Sequence, residues 1–309
     1  MPQLIHLISP PPRVTLWAVL AILASCTSSS TAPGALLVSE PYTPERPAKE
    51  LSIGQLMIEC ERHLRTWEQA FAAPRTQANR DAIAFTERAI ITLVHREQSK
   101  LEVEAVSGPP RNRGLASAAL GFSGDPEVLS LIASNVSSDN EMVASNALLG
   151  LGILAHKETP LGPIYAAVMA HGNSEPIIQN AAYATLRLAD VAEDDSQGSM
   201  AAIFVKLIGH SNSKVRGQAV IGLGLLRTAH ALPLICTRLM EDEVARVRTG
   251  AAWALGEIGD LSSIDILIDS LDDDDQIVAG TARASLVKLH GRDFGHEADE
   301  WRQVLHAHR

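Results

Sequence analysis

Apolar residues along the C-terminal two thirds of the chain return in one helical pattern. It reads apolar, alanine four residues on, leucine four after that, and a last apolar position three further. The pattern is clearest at Val215, Ala219, Leu223 and Leu226 and at Val247, Ala251, Leu255 and Ile258. It recurs at Val278, Ala282, Leu286 and Leu289 and at Val143, Ala147, Leu151 and Leu154. A looser copy reads Ile178, Ala182, Leu186, Ala189, and an eroded one keeps Ala116 and Leu120 after Asn112. Steps of three and four place such side chains on one face of an α-helix. The six copies start at 112, 143, 178, 215, 247 and 278. A repeat of this length cannot bury its own apolar face, so it must stack on its neighbours. The loops of the array carry helix-start chemistry: Asp125-Pro126-Glu127, Ser138-Asp139-Asn140-Glu141, Pro160, Pro176 and the run Asp272 to Asp275. Each unit is therefore predicted to be a signature helix, a turn and a short second helix, such as 231–240 or 262–271. No run alternates as a strand would. The predicted fold class is all-α, a right-handed α-solenoid over 107–309 with Ala219, Ala251 and Ala282 between its layers.

A different helical section leads into the repeats. Leu56, Cys60, Leu64, Trp67 and Phe71 form one apolar stripe, and Pro74 ends that helix. A second helix is predicted from about Gln77 to Val106, with Ile83, Ile90, Leu93 and Val94 on one side. The spacing predicts an antiparallel hairpin over 51–106, a cap for the array or else a docking module. Before it, residues 26–50 are rich in Ser, Thr and Pro and read as a tether. Residues 1–25 hold Arg13 and an apolar run from Val14 to Ala24. That run is shorter than the roughly 20 residues a membrane-spanning helix needs, so it reads as an export signal. Leu23-Ala24-Ser25-Cys26 resembles the lipobox of bacterial lipoproteins. The resemblance implies a chain cut before Cys26 and lipidated on it, membrane-held in the bacterial envelope. Thr27 after that cysteine implies the outer membrane, facing the periplasm. An ordinary signal peptide cut near Ser25 is the alternative.

Charge narrows the partners. The chain carries a net −10; residues 51–113 hold nine Lys/Arg against eight Asp/Glu, and residues 114–309 hold 14 against 25. An acidic array repels nucleic acid and anionic headgroups, so the expected ligand is neither. After Cys26 only Cys60 and Cys236 remain, both within apolar helical text and expected to be buried thiols.

Each candidate for chemistry has a plainer reading. Gly150-Leu151-Gly152-Ile153-Leu154-Ala155 fits a dinucleotide-binding spacing, but it sits inside a repeat helix and has a twin at Gly222 and Gly224. Close helix packing explains both. Ser211-x-x-Lys214 lacks the companion motifs of penicillin-recognising enzymes. The run Asp272, Asp273, Asp274, Asp275 lacks a calcium-loop frame and reads as a helix cap. His290, Asp293 and His296 lack a fixed ligand spacing. No catalytic residue, cofactor, metal or small-molecule substrate is expected.

Val-Arg-x2-Ala-x3-Leu-Gly at 215–224 and 247–256, with Gly259-Asp260 after the second, resembles HEAT repeats of the short kind also found in phycobilin lyases. In such repeats the arginine after the first apolar position often bonds an acid of the adjoining loop. Arg216 and Arg248 match it; Ala144 and Ala279 do not, so a ladder of these bonds is expected to be broken. The resemblance implies curved superhelices that bind proteins, with a few enzymatic members. The function expected is a membrane-tethered interaction scaffold binding a protein of unknown identity. Arg216, Arg248 and Asp272 to Asp275 are its candidate polar contacts. A repeat enzyme related to the lyases, or a regulator of an envelope enzyme, is the alternative.

Overall fold

The structure, a computed structural model, describes residues 50–74, 76–191 and 198–306. The expected leader, Cys26 and the expected tether through residue 49 lie outside the described residues. The chain divides into a unit over Met1–Ser52 and a unit over Ile53–Arg309, and all the described helices belong to the second. No helix among the described residues is long and apolar enough to cross a membrane.

Two long helices open this unit. α1 (Ile53–Ala72) runs antiparallel to α2 (Gln77–Ser107), which Thr76 starts by accepting from the Asn79 N–H. Leu56, Met57, Cys60, Leu64 and Trp67 are the buried stripe of α1. α2 is kinked at Glu97 (φ −114°, ψ 16°), whose buried carboxylate pairs with Arg96 and Lys100.

Six signature helices follow: α3 (Pro110–Leu120), α5 (Glu141–Leu154), α7 (Glu175–Val191), α9 (Ser213–Leu225), α11 (Ala245–Ile258) and α13 (Gln276–His290). Between them lie the second helices α4 (Leu129–Val136), α6 (Leu161–Ala170), α8 (Ser199–Leu207), α10 (Leu232–Glu241) and α12 (Ile264–Asp269). α14 (Ala298–His306) closes the order. Each signature helix packs on the next, and each second helix packs chiefly on the signature helix that follows it. The described residues form helices and turns only, a helix-pair solenoid.

Asn140, Asn212 and Asp275 start α5, α9 and α13 by accepting first-turn N–H groups. Gly259 and Gly291 end α11 and α13 at φ 82° and 81°, where a Cβ is strained. Val143, Ala147, Leu151, Val215, Ala219, Leu223, Ala251, Leu255 and Ala282 are all fully buried. Small alanines let successive helices approach, and larger residues on either side fill the layers.

Glycines bring the helices closer still. A Cβ on Gly150 would lie 2.2 Å from the Ser117 carbonyl oxygen, and one on Gly222 2.2 Å from the Phe204 ring. On Gly152 it would lie 2.6 Å from the Tyr183 ring, and on Gly224 2.8 Å from Ala254 Cα. The paired glycines are thus packing positions between helices.

These contacts also correct the register of the third copy. Tyr183 and Ala184 lie on Gly152 as Trp253 and Ala254 lie on Gly224. Trp253 is six residues past Val247, so the matching start in α7 is Ile177 rather than Ile178. Ile177, Ile178, Ala181 and Ala182 are all buried, so the apolar period alone could not choose between the two registers. Cys60 is buried, and desolvation with help from Glu59 and Glu97 pushes its thiol up to about 12. Cys236 differs from expectation: it is half-buried on α10, because Ile235 and Leu239 take that helix's inward face.

Candidate interaction surface

The first turns of the signature helices lie along one edge of the stack, each beside the loop that begins the next repeat. Arg216 donates from Nε and Nη2 to the two carboxylate oxygens of Asp242 at 2.7 and 2.9 Å. Its Nη1 donates to the carbonyls of His210 and Ser211 at 3.0 and 2.8 Å. The Asp242 side chain is fully buried. Burial alone would raise its carboxyl, but Arg216, the Val244 N–H and Arg238 outweigh that and hold it below its ordinary value. Arg248 repeats the arrangement one layer on, with both contacts to Asp273 at 2.8 Å and a third to the Asp242 carbonyl at 3.0 Å. The Arg248 hydrogen bonds lower the Asp273 carboxyl against its desolvation.

Other polar pairs occupy the junctions that lack an arginine-to-acid bond. Arg113 donates to Ser138 Oγ at 3.1 Å, Ser174 donates to Glu141, and Asn212 Nδ2 donates to Glu175 Oε1 at 2.6 Å. With the two arginine rungs, every junction from α3 to α13 carries one. The ladder of arginine-to-acid bonds is thus interrupted, as expected from Ala144, and pairs of other residue types stand in at those junctions. Glu141 and Glu175 each stand two residues before their repeat's start once the third register is set at Ile177. That shared offset is the signal by which the sequence could have shown them.

The candidate polar contacts therefore divide. Arg216, Arg248 and Asp273 are spent on interlayer bonds, and Asp275 accepts the Ile277 and Val278 N–H groups at the start of α13. Asp272 and Asp274 are exposed beside them. Ser211 and Lys214 serve the same edge, through a carbonyl to Arg216 and a backbone N–H to the Asn212 cap.

The positions six and ten residues past each start line a second face of the signature helices. Phe122, Tyr183, Arg187, Ile221, Trp253 and Glu257 lie in these rows. Glu257 accepts an ion pair from Lys288 at 2.6 Å, linking α11 to α13. Over the first repeats the face is covered by α1. Trp67 meets Phe122 edge-on with ring centroids 5.6 Å apart, and Phe71 meets Tyr183 edge-on at 6.0 Å. The hairpin thus does more than stack on the first repeat: α1 reaches the third. Burial pushes the Tyr183 hydroxyl up to about 12.

At the far end, His290, Phe294 and Trp301 pack edge-on, and Trp301 Nε1 donates to the Gly295 carbonyl at 3.1 Å. Asp293 is held by Arg283, which also contacts His296. The suspected ligands thus close the helix stack. No group of three or more His, Cys, Asp or Glu among the described residues could hold a metal ion.

A family model described as HEAT repeats matches residues 201–287. No curated protein matches the chain. Among solved structures, a designed armadillo repeat protein, YIII(Dq)4CqI, is 18% identical with a TM-score of 0.49, covering 62% of this chain and 98% of that one. Human deoxyhypusine hydroxylase in complex with glycerol is 17% identical with a TM-score of 0.37, covering 76% and 98%. The complex of CpcE and CpcF of phycocyanin lyase from Nostoc sp. PCC7120 is 15% identical with a TM-score of 0.37, covering 86% and 98%. The repeat fold itself stands on the helix pairs and on the family match.

Proposed function

We propose that this chain is a non-catalytic scaffold of the bacterial cell envelope, anchored by lipid on Cys26 and binding a protein partner along the second face of its signature helices. The observation that carries the reading is the continuity of that face: the row ten residues past each start is partly exposed at Ile153, Arg187, Leu225, Glu257 and Lys288, beside a mostly buried row six past each start. Stacked repeats present such extended surfaces, and protein partners use them. The polar groups along the neighbouring edge are engaged in holding layers together, so they are not poised for acid–base or nucleophilic work. The acidic balance of the repeats disfavours nucleic acid. Thr27 after Cys26 supports the outer membrane, facing the periplasm.

The test is site-directed photo-crosslinking of the full chain in envelope preparations. A crosslinker at position 257 should capture a protein, and one at position 202, exposed on α8, should not. Turnover by the purified protein, lost on a point substitution that leaves it folded, would overturn the scaffold reading.

A further inference from the structure

The tip of the N-terminal hairpin reaches the repeats without a buried side chain of its own. Among the described residues from Glu68 to Ala82, none is buried. Trp67 and Ile83, just below the tip, are the first that are, at 3% and 1% exposure. Trp67 is further fixed by its Nε1 donating to Glu87 at 3.0 Å. Beyond that point Phe71 stacks on Trp67, with ring centroids 5.1 Å apart, and meets Tyr183 of the repeats edge-on.

The receiving side is, by contrast, built. The Tyr183 ring lies on Gly152, where a Cβ would come within 2.6 Å of Cδ1 and 2.7 Å of Cε1, so the ring packs closely on α5. One turn on, Arg187 pairs with Asp190 at 3.0 Å while its Nε is buried without an acceptor. A buried donor left without a partner costs stability, about as much as a lost hydrogen bond. An aromatic face and an unsatisfied guanidinium donor together form a platform that Phe71 fills only in part, since phenylalanine carries no acceptor.

We propose that the hairpin tip is a displaceable plug: Phe71 holds, within the chain, a platform of Tyr183 and Arg187 that takes an aromatic side chain and a neighbouring acceptor from a protein partner. The same contact then regulates binding, because the partner must lift the tip before it can reach the third repeat. The partner's being a protein rests on the scaffold reading; the plug itself does not. Edge-on aromatic pairs contribute enough to shift an equilibrium by roughly two- to tenfold. Loss of the ring should therefore raise the open fraction, and the apparent affinity of any competitor, by that factor.

The test uses the full chain with Phe71→Ala, and Trp67→Ala as a reference for damage to the hairpin core. In Phe71→Ala, amide exchange over 66–82 should rise about two- to tenfold. Exchange in α9 to α13, and the melting temperature, should hold. A fluorescein-labelled peptide of residues 64–76 should bind Phe71→Ala more tightly than the unaltered protein by a similar factor. The same peptide with alanine at 71 should bind neither. Equal peptide binding to both proteins, or none to either, overturns the proposal. So does exchange that rises through all repeats with a fall in melting temperature like that of Trp67→Ala, since Phe71 would then be part of the core. Each of these failures leaves the scaffold reading standing, which falls only to turnover or to crosslinking away from position 257.

Discussion

At the residue scale, the Arg216–Asp242 pair is the most consequential polar contact among the described residues. Removing one partner of a buried ion pair costs about 3–5 kcal/mol, because the other is left charged and desolvated. Arg216→Ala should lose that much in urea unfolding. Arg216→Met with Asp242→Leu should recover part of it, the Val244 N–H having lost its cap. Arg248→Ala should cost less, since its pair is partly exposed, at 17% and 12% for the two side chains. The same contacts fix a pH dependence. Asp242 and Asp273 both have folded pKa values below the ordinary 3.8. The unfolded chain therefore takes up protons first as pH falls, and the stability these groups contribute is complete above the ordinary value and lost through the lower folded one. The gap in urea midpoint between the unaltered chain and Asp273→Asn should hold from pH 7 to 5 and narrow below about pH 4. The two arginines were legible because Val-Arg repeats at equivalent positions. Glu141, Glu175 and Arg113 were not, because their rungs pair different residue types from one junction to the next and so leave no repeated motif.

At the element scale, the signature helices were legible by the spacing of alanine and leucine, even in α5 and α11, which are buried on nearly every side. α7 shows where that signal fails: with both Ile177 and Ile178 buried, a period of apolar residues no longer has a phase. Glycine supplies the missing phase, since it marks where the next helix touches. This yields a prediction whose sign depends on position. In an exposed helix interior, Gly→Ala stabilises by about 0.5–1 kcal/mol. Gly280, inside α13, has nothing within 4 Å of an added Cβ, so Gly280→Ala should gain that amount. At Gly150 the Cβ would strike backbone, the Ser117 carbonyl at 2.2 Å, which no side-chain rotation relieves. Overpacking costs about 1–3 kcal/mol or more and outweighs the helix propensity, so Gly150→Ala should destabilise. Opposite shifts in the urea midpoint check both; equal shifts would deny that α3 and α5 touch there. The hairpin's reach to the third repeat was not legible at all, because an apolar stripe on α1 does not say which helix it meets.

At the scale of the whole molecule, folding and location should be separable. Among the described residues, every buried side chain belongs to the unit over Ile53–Arg309, which is compact by contact. The proposed anchor stands at Cys26, ahead of a Ser- and Pro-rich stretch that cannot itself build a core. One acyl chain binds a bilayer only marginally and reversibly, so stable anchoring requires that the mature cysteine carry more than one. Mass spectrometry of the mature N-terminus should therefore find Cys26 first and multiply acylated. Cys26→Ala should shift the protein out of the membrane fraction or leave its leader uncleaved. Its circular dichroism and urea midpoint should match the unaltered chain, since the buried core described for the repeats begins at Leu56. An unlipidated mature Cys26 would rule out the anchor. A Cys26→Ala protein that is released but unfolded would instead show that the repeats depend on the segment before residue 53, against the division into two units.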